Sequence, residues 1–95
     1  MICHFNKKQL LTYKNYYKMK KQLIKNLCER IHELAKQDFH CKYDQYYGYS
    51  IYQICDGAIC DVFGLSSTKS YKYSEFIALL HGIIAGLVYA QKINH

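Results

Sequence analysis

Ninety-five residues, half of them apolar, suffice for one domain, 1–95, with a real core, and they exclude a disordered chain. A formal net charge of +6 excludes an acidic mimic of nucleic acid and points to anionic partners. That charge is uneven: residues 1–36 hold nine Lys/Arg against two Glu, whereas 37–95 hold four Lys against five acids.

The lack of Pro and the scarcity of Gly favour helices. Twelve Lys, eleven Tyr and ten Ile beside a single Arg indicate AT-rich coding. The expected source is a low-GC bacterium, or a phage or other mobile element living in one.

The first helix is predicted over about 6–36. Leu10, Tyr13, Tyr17, Ile24, Leu27, Ile31 and Leu34 form one apolar stripe, interrupted only where Lys20 takes a seam position. Long lysine stems cover apolar surface, so Lys20 need not break the helix. Such a helix is too long for a compact bundle of this size unless an end projects or packs on a partner.

On that helix Lys7, Lys14, Lys18, Lys21 and Lys25 fall within roughly 60° of one another at about 100° per residue. Lys14–Lys18 and Lys21–Lys25 are like-charge pairs at i,i+4, which repel. An anionic partner lying on the stripe relieves that repulsion, and nucleic acid fits it best. An acidic protein surface fits too, and a plain solvated face is the bland alternative. Lysine in place of arginine argues against reading bases, because arginine is the usual bidentate partner of guanine.

Residues 37–49 carry a weak strand signal, with Phe39, Cys41 and Tyr43 alternating with polar neighbours. Tyr43, Tyr46, Tyr47, Tyr49 and Tyr52 crowd around Gly48. Tyrosines supply interface area with few torsions to freeze and can stack on unpaired bases. They can equally cover the ends of a small bundle.

A second helix is predicted over about 50–63. Ser50 and Gln53 read as a capping box, Ile51, Ile54, Cys55, Ala58, Ile59 and Val62 as its apolar face, and Gly64 as its stop. A five-residue echo, Ile54-Cys55-Asp56 and Ile59-Cys60-Asp61, matches no helical period and is read as chance.

A third helix is predicted over about 74–92, with Ser74 as N-cap and Glu75 complementing the helix dipole. Phe76, Leu79, Leu80, Ile83, Ile84, Leu87 and Val88 make it apolar nearly all round, which suits a central or oligomer-interface helix. His81 within it is expected to be a core histidine. Gly82 and Gly86, one turn apart, expose backbone for close packing or for a homodimer through this helix. The apolar run Phe76 to Ala90 is shorter than the roughly 20 residues a bilayer needs, so no membrane partner is expected.

Five cysteines and no apolar leader suggest reduced thiols in a cytoplasmic protein. His40, Cys41, Cys55 and Cys60 lack zinc spacing. On a helix Cys55 would face the core and Cys60 the water, so no metal and no other cofactor is expected. No phosphate loop, paired carboxylates or Cys–His pair within reach is legible, which argues against an enzyme.

These readings give an all-α fold, a small helical bundle. The alternative is α+β, with a short hairpin in 38–52. The expected function is a non-enzymatic basic binding protein that docks its lysine helix on a nucleic-acid-handling complex. An inhibitor of a host defence nuclease, of the anti-CRISPR type, is its sharpest form. The alternatives are a protein–protein module, homodimeric or on an acidic surface, and direct non-specific DNA or RNA binding.

Overall fold

The computed structural model describes residues 7–93, with side chains from residue 15 onward. Its elements run α1 (Lys7–Ala35), β1 (His40–Asp44), β2 (Gly48–Cys55), β3 (Ala58–Cys60) and α2 (Tyr73–Ile93). The three strands form one antiparallel sheet in the order β1-β2-β3. The chain is therefore α+β, and the all-α helical bundle expected from the sequence is wrong. The alternative with a hairpin in 38–52 is the closer description.

The helix predicted over 50–63 is the element that fails. Its residues form β2, a turn and β3. Isoleucine suits a pleated surface as well as a helical face, so the apolar positions did not discriminate. The decisive signal is Asp56-Gly57. Both residues have positive φ, 52° and 81°, which makes a type I′ turn whose twist matches that of the flanking strands. The five-residue echo spans that turn, which sets Ile54 directly opposite Ile59. Ser50 caps nothing and pairs with Lys42 across the sheet. Gln53 donates from Nε2 to the Asp61 carbonyl (2.9 Å). Gly64 follows Phe63 in a second two-residue turn with φ positive at both (74° and 54°), closed by hydrogen bonds between Val62 and Leu65.

The β1–β2 connection is built by Asp44 and Gly48. Asp44 Oδ1 accepts the backbone N–H groups of Tyr46 (2.7 Å) and Tyr47 (3.1 Å), an Asx-type turn. Gly48 then takes φ 100° and lies under the Tyr71 backbone, where a Cβ would run into the Tyr71 carbonyl oxygen. Tyr49 and Tyr71 exchange both backbone hydrogen bonds (2.8 and 2.7 Å), which returns the chain to the sheet just before α2.

Both outer helices form close to their predicted bounds. At the end of α1, Lys36 adopts a left-handed φ of 53°, and its N–H donates to the His32 carbonyl (2.9 Å). At the start of α2 the N-cap is Lys72 rather than Ser74. Glu75 reaches back to the Lys72 N–H (3.0 Å), and the Phe76 N–H donates to the Lys72 carbonyl (2.8 Å).

The helices run in the same direction. Lys20 meets Tyr73 at the start of α2, and Leu34 accepts a hydrogen bond from Gln91 at its end (3.4 Å). The first turns of α1 consequently project past α2, consistent with extents of 54 × 30 × 19 Å. One face of the sheet, carrying Cys41, Tyr43, Tyr49 and Ile51, turns to the helices. The other carries His40, Tyr52, Ile54 and Ile59. The core comprises Leu27, Ile31, Phe39, Ile51, Val62, Phe76 and Leu80. Tyr49 stacks on Phe76 (5.3 Å between centroids, 17° between planes), joining sheet to α2.

Beyond Leu80, α2 is poorly covered. His81 is exposed, not a core residue. The helix is long and apolar enough, by length and composition, to cross a membrane, and only 11% of its most apolar window is buried.

Candidate anion-binding face

The two features singled out in the sequence, the lysines of α1 and the tyrosines near Gly48, meet in space. Three shallow depressions lie side by side and share walls. The middle one, about 240 Å³, is lined by Tyr17, Lys20, Lys21, Tyr43 and Tyr49. On one side, about 170 Å³ is lined by Lys21, Ile24, Cys41, Lys42, Tyr43 and Tyr49. On the other, about 290 Å³ is lined by Tyr16, Met19, Lys20, Leu23 and Tyr73. Among the described residues, three lysines and five tyrosines line the whole, and no acidic residue does.

Lys20 is the pivot. Its ammonium sits 4.5 Å from the ring centre of Tyr16 and 4.7 Å from that of Tyr73. A hydrogen bond to Tyr16 holds its pKa above the ordinary lysine value, and the modest desolvation opposing this is outweighed. The seam position that seemed out of place is thus a cation held between two rings. Tyr43 packs on Tyr49 (4.7 Å) and leaves 60% of its own surface exposed. Burial, then the neighbouring Tyr43, pushes the Tyr49 phenol above its usual range. It is a neutral, fixed ring at ordinary pH.

The predicted stripe is only partly in this site. Lys21 lines it. Lys18 and Lys25 are exposed, and neither forms an ion pair among the described residues. The side chains of Lys7 and Lys14 lie outside the described residues. Lys20, Lys42, Tyr16, Tyr17 and Tyr73 were missed as site residues. The tyrosine cluster divides: Tyr43 and Tyr49 wall the site, Tyr46 and Tyr47 stand exposed at the β1–β2 turn, and Tyr52 contacts His40 on the far face of the sheet (5.4 Å). Gly82 and Gly86 lie far along α2, and both face open space instead of packing against α1.

The four residues weighed as zinc ligands do not converge. Among the described residues no group of three or more His, Cys, Asp or Glu is placed to hold a metal. Cys41 lies against Cys28 of α1. Cys55 is exposed and Cys60 half-buried, the reverse of the helical expectation, because a hairpin replaces the helix.

Comparison with family models, curated proteins and solved structures finds no match for this chain, and so gives no support to a phage origin or an anti-CRISPR role. The face is interpreted on its own chemistry. Lysine tips supply diffuse positive charge for phosphates, and half-exposed tyrosine rings supply flat apolar surface for bases.

Proposed function

We propose that this is a non-enzymatic binding protein whose lysine–tyrosine face grips single-stranded nucleic acid, free or held in a nucleic-acid-handling complex. The supporting observation is the convergence of Lys20, Lys21 and Lys42 with Tyr16, Tyr17, Tyr43, Tyr49 and Tyr73 on one surface that holds no acidic residue among the described ones. An acidic protein needs the charge but not the rings. Duplex DNA hides its base faces from them. Lysine without arginine gives sequence-tolerant binding. Anisotropy of labelled single-stranded DNA and RNA at ~50 mM salt tests this, because electrostatic affinity is greatest at low salt. Binding is expected for the native chain and its loss for K20E/K21E. Absence of binding to both strands at that salt overturns the proposal.

Self-association is a second reading, favoured by the uncovered length of α2 and the open space over Gly82 and Gly86. The occupant is a second copy, α2 against α2. Sedimentation giving an 11.3 kDa monomer at high protein concentration refutes it.

A further inference from the structure

The three depressions lie near where α1 begins to project past α2. Their α1 walls run from Tyr16 to Ile24, about 12 Å of helix at 1.5 Å per residue. A longer strand must therefore continue beyond them. Cys41 lines the depression beside Ile24, and Tyr43 reaches the one beside Tyr17, so β1 runs toward the projecting end of α1. The β1–β2 turn stands beyond the depressions on that side.

Tyr46 and Tyr47 occupy that turn. With 82% and 76% of their surface exposed, they are the most exposed large hydrophobic side chains among the described residues. Their turn is nonetheless fixed. Asp44 Oδ1 accepts both of their backbone N–H groups (2.7 and 3.1 Å), and Gly48 after them is held beneath the Tyr71 backbone. These contacts use the backbone alone, so the two rings are held out without being needed for the turn. Alternation along β1 sends the Asp44 side chain to the opposite face from Tyr43, away from the depressions. Tyr46 is three residues from Tyr43, and Tyr47 two from Tyr49, at most about 11 and 7 Å of chain. Tip and face are neighbours.

We propose that Tyr46 and Tyr47 form an outer stacking subsite, which takes the bases of a single strand where it leaves the lysine–tyrosine face. This rests on the reading of that face as a single-strand site. Stacking accepts any base, which suits lysines that read none. The face supplies charge and rings, and the tip supplies rings alone. The tip therefore adds affinity only for a strand long enough to reach it, and that increment is insensitive to salt.

The test is anisotropy of labelled trithymidylate and decathymidylate at ~50 and ~150 mM salt, with the native chain, Y46A/Y47A, Y46F/Y47F and K20E/K21E. Y46A/Y47A should bind the decanucleotide about five-fold or more weaker than the native chain for each base unstacked, by the same factor at both salts. It should bind the trinucleotide as the native chain does and keep the native melting midpoint, which separates lost stacking from lost fold. Y46F/Y47F retains the rings and should match the native chain on both strands, whereas K20E/K21E should lose both. Equal decanucleotide binding by the native chain and Y46A/Y47A overturns the subsite and leaves the face standing. So does an equal loss of both strands in Y46A/Y47A, because the tip then has no separate reach, and so does a loss in Y46F/Y47F as large as in Y46A/Y47A. Failure of the native chain to bind the decanucleotide at the lower salt removes the reading of the face, and the subsite with it.

Discussion

Lys20 of α1 holds its ammonium over the ring of Tyr73, 4.7 Å from the centroid, so the first turn of α2 is fastened to the middle of α1. The cation comes from the helix that carries the charge, and the ring from the helix that carries the apolar surface. This contact closes one end of the lysine–tyrosine face. It also makes Lys20 a residue with two duties, packing and charge.

The two duties separate by salt. Replacing Lys21 with Met is expected to reduce the slope of log affinity against log salt by about 0.7 for a single strand, the loss of one phosphate contact. Lys20→Met should reduce the slope similarly and also lower the thermal midpoint, because the rings of Tyr16 and Tyr73 lose their cation. Oligonucleotide titrations at several salt concentrations and a melting curve measure both. Equal melting behaviour of the two variants speaks against the packing duty.

Two glycines with positive φ should respond differently to alanine. Gly57 has open space where a Cβ would sit, so Gly57→Ala meets only backbone strain, about 1 kcal/mol. Gly48→Ala meets the Tyr71 carbonyl and endangers the paired Tyr49–Tyr71 hydrogen bonds, adding roughly 2 kcal/mol. Urea unfolding of the two variants checks the order. A milder loss for Gly48→Ala contradicts the packing described.

Lys36→Gly is expected to stabilise. Lys36 holds a left-handed φ at the end of α1, where glycine meets no steric penalty. Relief of about 1–2 kcal/mol of left-handed strain outweighs roughly 0.5–1 kcal/mol of added chain entropy, and the net gain is read as a rise in the urea midpoint.

Alkali tests Tyr49. Its pKa is raised in the folded chain, so the native state keeps a proton that the unfolded state loses above the ordinary value of 10.0. Stability from this residue is full below that pH and falls as pH rises through the folded value. Tyr49→Phe should show a shallower loss of stability as the pH rises above about 10. Identical profiles for the two proteins would rule the effect out.

The outer helices were legible because their periodicity is long: Ile24, Leu27, Ile31 and Leu34 in one, Phe76, Leu80, Ile83, Ile84 and Leu87 in the other. The middle was misread because Ile51, Ile54, Ile59 and Val62 satisfy a helical face over a short span. Asp56-Gly57, a turn pair with positive φ at both residues, settles the matter in favour of strands. The site was half legible. A charge bias and a tyrosine cluster are local properties of sequence. Their meeting depends on β1 lying against α1, which no spacing reveals, and so Lys42 and Tyr73 carried no signal at all.

The parallel course of α1 and α2 has a consequence for how the chain is made. Parallel neighbours cannot close as a local hairpin, and here the segment 36–72 must first be laid down between them. Contacts such as Leu34–Gln91 span 57 residues, so their closure entropy comes late and folding is slower than for a bundle of adjacent helices. During synthesis the seam of α1, with Leu27 and Ile31, leaves the ribosome well before Phe76 and Leu80 exist to cover it. Over that interval the net positive charge of residues 1–36 opposes association of one nascent chain with another.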